Sequence, residues 1–316
     1  MKCRRCKAPA VIDVRRHNAG FCADCFTRHC REQVRRAINE HDMFDPDARV
    51  LVAVSGGKDS LGLWQLLREL DYEADGLYVG LGIGEYSDRS GDAARAFAAQ
   101  RGWTLLEVDL RDTYGFDVPG GAQAIRRVPC SACGMSKRHV FNDAARSNGY
   151  DVLATGHNLD DEAAVLLGNV LRWETGYLGR QHPVLPEAEG FVRKVKPLVR
   201  LSERELAAYC VLRGIDYIVE ECPMAAGNRH LGYKELLNGI EERSPGTKAA
   251  FLFGFLERGH ERFAGDAVEE REDLHPCPEC GSPTPGDVCG FCRLRARATR
   301  SIPVEAIGAQ VPEATP

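Results

Sequence analysis

A short polar segment contains the residue types that bind phosphate. It reads Ser55-Gly56-Gly57-Lys58-Asp59-Ser60 and follows the β-rich run 49–54. Two glycines let backbone N–H groups approach phosphate oxygens, and the N-terminus of a following helix attracts negative charge. The hydroxyls and the ammonium can donate to the same oxygens, while the aspartate could cap the helix or help hold Mg²⁺. Because the spacing differs from that of a Walker loop, the segment predicts a phosphate cradle of another kind.

Cysteines are numerous, with 13 in a chain of 316 residues, and most of them are grouped. Eight occur as two pairs of CxxC motifs, one set near each end of the chain. This spacing is typical of tetrahedral sites in which four thiolates bind a structural zinc ion. The sequence therefore predicts two zinc modules, with the ligands Cys3, Cys6, Cys22 and Cys25 in the first and Cys277, Cys280, Cys289 and Cys292 in the second.

Three other cysteines are candidates for chemistry. Cys130 and Cys133 precede a predicted helix, and Cys222 follows a predicted strand. Because the N-terminus of a helix lowers the pKa of a nearby thiol, we expect Cys133 to be reactive. The spacing is compatible with a redox pair and a spare thiol, with an incomplete zinc site, or with three thiolates on an iron–sulfur cluster. Cys210, inside a predicted helix, is expected to be a core residue, and Cys30 receives no role.

Strands and helices alternate in the middle of the chain and can position these groups. Apolar and β-branched runs predict strands at 49–54, 75–83, 104–110, 151–156 and 216–220. Helical periodicity and end signals predict helices after the glycine-rich segment and at 90–102, 136–149, 160–173 and 202–214. This alternation predicts an α/β fold with a parallel sheet covered on both faces. Ligands of such sheets lie beyond the carboxyl ends of the strands, which is where the glycine-rich segment begins.

The charge is unevenly distributed, although the net charge is only −5. Residues 1–40 carry 10 Lys and Arg against 4 Asp and Glu, residues 277–300 carry 4 against 2, and residues 41–276 carry 27 against 38. Two basic ends on an acidic body suggest that the ends meet a polyanion, with solvated surface charge as the alternative. We expect a cytoplasmic protein, because no apolar run could span a bilayer and the N-terminus lacks a signal-peptide pattern.

The glycine-rich segment resembles the PP-loop of the ATP pyrophosphatases, whose domain is adenine nucleotide alpha hydrolase-like. These enzymes cleave ATP between the α and β phosphates and transfer AMP to a carbonyl oxygen. The order of the motifs is similar to that of the TtuA-type tRNA 2-thiouridine synthetases, relatives of the cytosolic tRNA 2-thiolation proteins. Besides the zinc motifs and the PP-loop, the motifs are GLGIGEYSDRS (80–90), PCSACG (129–134), TGHNLDDEA (155–163), ECP (221–223) and the segment 228–257. The resemblance covers residues 1 to 292.

The resemblance implies a tRNA sulfurtransferase that uses ATP to adenylate the C2 carbonyl oxygen of a uridine. Sulfur then displaces AMP and leaves 2-thiouridine. It also implies that Cys130, Cys133 and Cys222 hold a 4Fe-4S cluster whose open iron takes sulfide. Lys137 is expected at the α-phosphate and Asp161 on Mg²⁺. Taken alone, Lys137 could be an exposed helix cation and Asp161 a helix cap.

The expected ATP site joins the PP-loop to the ends of the neighbouring strands. Gly80 departs from the expected pattern, because a more polar residue is typical after the second strand, and His157 is expected only to line the site. The residues expected to bind the nucleotide are Ala53, Ser55, Gly56, Gly57, Lys58, Asp59, Ser60, Val79, Lys137, Gly156 and Asp161.

The resemblance also implies a domain order and a set of partners. The expected segments are a zinc module (1–30), the PP-loop catalytic domain (31–258), a linker (259–276), a second zinc module (277–300) and a tail (301–316). The expected partners are tRNA, a ubiquitin-like sulfur carrier with a C-terminal thiocarboxylate, and a second copy of the chain, but no membrane. Enzymes for the wobble and for the T-loop uridine both occur in the family, so the position stays open.

Other functions are compatible with parts of the pattern. A PP-loop ligase that modifies tRNA would use the same ATP loop but would not need the three central cysteines. A tRNA thiolase acting on another base, such as one that makes 2-thiocytidine, would need both the ATP loop and the three central cysteines. An RNA-binding protein stabilised by zinc would need neither. Iron and sulfide content after anaerobic preparation separates a cluster-dependent thiolase from the ligase and from the RNA-binding protein.

Overall fold

The computed structural model describes residues 1–225, 229–265 and 274–300 of the protein. Its strands are β1 (Ile12–Val14), β2 (Ala19–Phe21), β3 (Val50–Val54), β4 (Ala74–Gly80), β5 (Leu105–Asp109), β6 (Val152–Thr155), β7 (Val184–Leu185), β8 (Arg193–Val195), β9 (His275–Pro276) and β10 (Pro283–Thr284). Its helices are α1 (Ala23–Glu40), α2 (Lys58–Glu69), α3 (Gly84–Arg101), α4 (Leu110–Tyr114), α5 (Val118–Ile125), α6 (Pro129–Ser147), α7 (Leu159–Arg172), α8 (Thr175–Gly179), α9 (Glu203–Leu212), α10 (Arg229–Arg243), α11 (Thr247–Arg258) and α12 (Gly290–Arg300). Short 3-10 turns occur at Arg15–His17, Pro197–Arg200, Pro223–Ala225 and His260–Phe263.

The central sheet has six strands in the order β5–β4–β3–β6–β8–β7, which confirms the expected α/β fold. Strands β3, β4, β5, β6 and β8 are parallel, and the short β7 pairs antiparallel with β8 at one edge. After β3 the chain builds β4 and β5 on one side and later β6 on the other, so the strand order reverses beside β3. A ligand crevice is expected at the carboxyl end of such a switch, and the PP-loop follows β3 there.

One predicted strand is wrong. Residues 216–220 are irregular, and Ile218 N donates to Gly56 O at 3.0 Å across the PP-loop. The segment therefore supports the loop rather than extending the sheet, and Cys222 does not follow a strand. The sheet takes β7 and β8 instead, and strands of 2 and 3 residues carry no periodicity that a sequence could reveal.

Helix α6 begins at Pro129 and not at the predicted residue 136. Cysteine, serine and glycine are weak helix formers, which is why the pattern predicts a later start. However, proline is favoured in the first turn, and Ala132 packs in a buried cluster with the C-terminal cysteine module. Tertiary packing therefore places Cys130 and Cys133 within the helix.

The two cysteine modules pack differently on the PP-loop domain. Phe21, Phe26, Cys30 and Val34 belong to the main buried core, so the N-terminal module shares that core and Cys30 acts as a small apolar residue. The C-terminal module has its own buried cluster, which includes Phe116 of the PP-loop domain.

The expected segment boundaries do not coincide with the ends of the elements. Helix α1 runs from residue 23 through the boundary at 30 to residue 40. Strand β9 pairs with β10, so the C-terminal module starts at 275, inside the expected linker. The rest of that linker includes residues 266–273, which lie outside the described part of the chain, as does the expected tail 301–316. Among the described residues, no helix has the length and apolar character that crossing a bilayer requires.

Candidate ATP and sulfur site

The PP-loop is closed by its own side chains. Ser55 N donates to Ser60 Oγ at 3.0 Å, and this hydroxyl donates to Gly57 O at 3.0 Å. Ser60 is buried, so its hydroxyl shapes the loop. Gly56 has a φ of 73°, and a Cβ atom there would lie 2.4 Å from Ser90 O. Only glycine fits this position, as the sequence pattern predicts.

A cavity of about 300 Å³ lies beside the loop at the carboxyl ends of the strands. Its walls combine apolar groups, which suit a base, with hydroxyl and ammonium groups, which suit phosphate. His157 lines it as expected. The residues of the predicted nucleotide site that line the cavity are Ala53, Ser55, Asp59, Ser60, Val79, Lys137 and Gly156. The sequence did not single out Leu81, Tyr86 and Phe141, although Leu81 and Tyr86 belong to a quoted motif.

Two glycines allow backbones to come close at this edge. A Cβ atom on Gly156 would lie 3.0 Å from both Asp59 C and Ser60 N, so the loop after β6 supports the PP-loop directly. A Cβ atom on Gly80 would lie 2.4 Å from Asp109 Oδ2. Asp109 accepts hydrogen bonds from the first turn of α4, so a larger residue than Gly80 would displace that cap. This contact accounts for the glycine at position 80 of this chain.

Five charged side chains form an alternating network next to the loop. Lys58 Nζ lies 2.7 Å from Glu203 Oε1 and 3.2 Å from Asp59 Oδ2. Lys234 Nζ lies 2.5 Å from Asp161 Oδ1 and 3.3 Å from Glu203 Oε2. We call Asp59, Lys58, Glu203, Lys234 and Asp161 the charge network. Neither Glu203 nor Lys234 was singled out from the sequence, and no local pattern could have identified them.

The position of Asp161 is compatible with both of its expected roles, which are helix capping and binding of Mg²⁺. Its Oδ2 accepts from Asn158 N at 3.0 Å in a capping box at the start of α7, while Oδ1 belongs to the charge network. Burial raises the pKa of Asp59 to about 6, against the opposing effect of Lys58, and the nearby Asp161 raises it further. Asp59 Oδ1 is buried and has no hydrogen-bond partner among the described residues. An oxygen of this kind fits a hard cation such as Mg²⁺.

Cys130, Cys133 and Cys222 lie close to one another, and Cys133 is near Tyr86 and Lys137 of the cavity wall. Cys130 Sγ contacts Met224 O, in the turn after Cys222, at 3.7 Å. Tyr86 lines the cavity and lies near Cys133 and Cys222, which add to the effect of burial in raising its pKa. Within the described chain, the cysteine sulfur atoms that lie mutually within 4.8 Å are those of the two terminal sets. The wider spacing of the three central thiols suits a cluster better than a single ion, because each thiolate binds a different iron.

The pKa of the Cys133 thiol does not support its expected reactivity. Burial raises the pKa of Cys133, and the lowering effect of Lys137 does not overcome it. Lys137 lies one helical turn after Cys133 in α6 and also lines the cavity. The lysine thus connects the candidate nucleotide site with the thiols.

Each terminal set of cysteines brings four sulfur atoms together. All four in each set lie within 4.8 Å of one another, at tetrahedral-site spacing. Burial and neighbouring thiols raise the pKa of Cys25 to about 12, while backbone N–H groups around Cys3 lower its pKa to about 6. Four crowded thiols cannot all ionise without a cation, so these donors fit zinc.

The whole chain is similar to known tRNA-thiolating proteins. The family descriptions "2-thiouridine synthetase TtuA, N-terminal LIM domain" and "PP-loop domain" match residues 2–27 and 26–226. A tRNA-5-methyluridine(54) 2-sulfurtransferase from Thermus thermophilus is 49% identical over 311 residues, which is 96% of each chain. The chain belongs to the TtuA family of PP-loop enzymes. A relative named tRNA 2-thiolation protein NcsA, from Haloferax volcanii, is 31% identical over 93% of this chain and 98% of its own.

A solved structure has the same fold over nearly the whole chain. It is described as "U34-tRNA thiolase NcsA from Methanococcus maripaludis with its [4Fe-4S] cluster". The TM-score is 0.77 at 27% identity, with coverage of 93% of this chain and 95% of that one. The predicted family, its PP-loop fold and its tRNA 2-sulfurtransferase activity are thereby confirmed, while the roles of individual residues stay predictions.

Proposed function

We propose that the protein replaces the C2 oxygen of a tRNA uridine with sulfur, at the expense of ATP. The observation that carries this proposal is the position of Lys137, which lies in the wall of the PP-loop cavity and beside Cys133. A nucleotide in that cavity would have its α-phosphate between the loop and the thiols. Activation and sulfur transfer can then occur in adjacent places.

The reaction has two steps with balanced bonds. The uridine O2 attacks the α-phosphorus of ATP, and pyrophosphate leaves with the β and γ phosphates. Adenylation releases the N3 proton of the uridine. A hydrosulfide ion, set free from a thiocarboxylate by hydrolysis of its C–S bond, then attacks C2, and AMP leaves with the original oxygen. The S–H proton moves to N3, which leaves the C2=S group of 2-thiouridine. Backbone N–H groups of the PP-loop and the ammonium of Lys137 would stabilise the negative charge that develops on the phosphates. The apolar wall beside Val79 and Leu81 would hold the base and exclude water.

The central thiols fit an iron–sulfur cluster with three protein ligands. Cys130, Cys133 and Cys222 would hold it, and the described residues around them offer no fourth cysteine. Such a cluster supplies one iron that is free to bind sulfur. The three thiolates would fix its position, and two of them belong to α6, the helix that also presents Lys137.

Three further metal ions are part of the proposal. Asp59 and Asp161 would hold Mg²⁺ that accompanies ATP, which the unpartnered Asp59 oxygen supports. Each terminal set of four cysteines would hold one zinc ion with a purely structural role, because no open position remains for a substrate.

The proposed substrate is the 5-methyluridine at position 54 of the T-loop. Relatives named for that position are 49% identical in Thermus thermophilus and 40% identical in Pyrococcus horikoshii, whereas the U34 enzyme of Methanococcus maripaludis is 27% identical. We further propose a ubiquitin-like carrier with a thiocarboxylate as sulfur donor, a homodimer, and a cytoplasmic location. The cytoplasm is a reducing compartment, and this location is supported by the 13 cysteines, which are all free thiols.

The test uses anaerobic protein, sulfide, Mg-ATP and two tRNAs that lack 2-thiouridine, one with 5-methyluridine at position 54 and one with cytidine there. Wild type should contain about four irons and thiolate only the first tRNA, as read by nucleoside mass spectrometry. Cys130→Ala, Cys133→Ala and Cys222→Ala should each lose thiolation and most of the iron. Cys30→Ala is the matched control, because it removes a buried thiol from the main core and should keep both.

Each departure from this result has a definite meaning. Full activity in iron-free protein, or in one of the three central variants, would refute the role of the cluster. Thiolation of the cytidine tRNA would refute position 54. Consumption of ATP with attachment of another group to the base would favour the PP-loop ligase.

A further inference from the structure

The charge network contains a lysine from a helix that the nucleotide site does not otherwise require. Lys234 belongs to α10, and its ammonium bridges Asp161 and Glu203. A lysine is protonated at neutral pH, and here its ammonium lies between two carboxylates. A protonated lysine held by two carboxylates occupies the kind of position that a metal cation would take.

The surroundings of Asp161 show what the lysine does there. The Asp161 carboxylate does not line the 300 Å³ cavity, whereas Asp59 does. One oxygen of Asp161 is used by the capping box and the other by Lys234. The carboxylate expected to hold Mg²⁺ is therefore satisfied by a cation of the protein itself.

The same carboxylate bridge restrains the lysine of the PP-loop. Glu203 contacts Lys234 through Oε2 and Lys58 through Oε1, so the two ammonium groups share one partner. Together with Asp59 and Asp161, the network has three carboxylates for two ammonium groups. Loss of either lysine would leave two negative charges in excess beside a site that must accept phosphates.

We propose that Lys234 is a positioning residue that neutralises Asp161 and Glu203 until the cation of the nucleotide replaces it. The proposal rests on the assignment of the PP-loop as the ATP site. Asp161 and Asp59 would hold the cation that accompanies ATP, and Lys234 would then be free to pair with the phosphates. The exchange prevents the protein from binding divalent cations in the absence of ATP, so that metal and nucleotide bind together.

The experiment measures binding of Mn²⁺ alone to anaerobically prepared full-length protein by electron paramagnetic resonance. Lys234→Met should bind Mn²⁺ at least about tenfold more tightly than wild type, because a positive charge has been removed beside the carboxylates. Lys234→Arg should restore weak Mn²⁺ binding. Arg243→Met is the matched control, since it removes a charge from the same helix away from the network.

A double variant tests whether the effect comes from charge balance at this site. Lys234→Met with Glu203→Gln returns the excess to one negative charge and should bind Mn²⁺ about as weakly as wild type. In a parallel titration with Mg-ATP, Lys234→Met should bind the nucleotide about tenfold more weakly, with unchanged tRNA affinity.

The two hypotheses fail in different ways. If Lys234→Met binds Mn²⁺ no more tightly than wild type and Arg243→Met, the role of Lys234 is refuted. If wild type itself binds no Mg-ATP, the proposed ATP site is refuted, whatever Mn²⁺ alone does.

Discussion

At the scale of single residues, the site depends on backbones that lie closer together than side chains would permit. Gly156 contacts the main chain of Asp59 and Ser60, and its φ is not in the left-handed region, so the reason for glycine is space alone. The PP-loop that presents backbone N–H groups to phosphate is therefore positioned by the strand beside it.

This gives a prediction for Gly156→Ala. The added Cβ atom would lie 3.0 Å from two PP-loop backbone atoms, which must move by a few tenths of an ångström. We expect the KM for ATP to rise about tenfold, because misplaced donors lose most of their effect, with unchanged metal content. Gly254→Ala, in α11, is the control, since nothing lies near its Cβ position. Equal KM values for the two variants would contradict the steric argument.

The sequence predicts the site residues where the signal is local. The loop residues 55–60 follow from their own types, because each feature acts within a few positions. Glu203 is 145 residues from Lys58, and its partnership exists only after α9 has packed on α2. Such a pair leaves no spacing pattern to detect. Tertiary packing also decides the structure of residues 216–220, which have the composition of a strand but lack a neighbouring strand to pair with.

At the scale of elements, the C-terminal module is joined to the helix that carries the central thiols. Phe291 of α12 stacks on His139 of α6 with ring centroids 3.8 Å apart, and Tyr114 packs edge-on against it at 4.9 Å. Phe291 is 4% exposed. Lys137 lies two residues before His139, so the orientation of α6 at the cavity depends on this contact. The sequence predicts both modules but not their contacts.

A second prediction follows for Phe291→Ala. Truncating a buried phenylalanine costs about 3–5 kcal/mol, and here the cavity would open under α6. We expect the iron content of anaerobic protein to fall by about half or more, although Phe291 is not a ligand, because α6 would no longer hold two of the three thiols in place. Phe44→Ala removes an aromatic ring that packs on Tyr72 and should keep the iron. If both variants keep it, the module does not position α6.

At the scale of the whole molecule, the N-terminal module is attached through a buried ion pair. Arg16 donates to both oxygens of Glu205 at 2.9 and 2.8 Å, and the two side chains are 9% and 4% exposed. Glu205 lies in the first turn of α9, which also presents Glu203 to the PP-loop. The module and the ATP site are thus connected through one helix, and the ion pair should be important for stability.

The last prediction concerns acid and Glu205→Gln. Burial would raise the pKa of Glu205, but His29, Arg16 and Ser202 outweigh it and lower the pKa from 4.5 to about 2. A lowered pKa in the folded state stabilises the protein fully above the unfolded value of 4.5, and this contribution is lost as the pH falls towards 2. Near neutral pH, we expect the free energy of unfolding of Glu205→Gln to be about 3 kcal/mol lower than that of wild type.

The difference in free energy of unfolding between wild type and Glu205→Gln should shrink by about 1 kcal/mol between pH 6 and pH 3.5. In this range Glu205 becomes protonated in the unfolded state, which stabilises the unfolded wild type. Denaturant unfolding at several pH values measures it. Glu32→Gln is the control, since its pair with Arg5 of the N-terminal module is exposed and should cost less than about 1 kcal/mol at any pH. A difference that stays constant with pH would show that packing, and not the charge of Glu205, holds the module on α9.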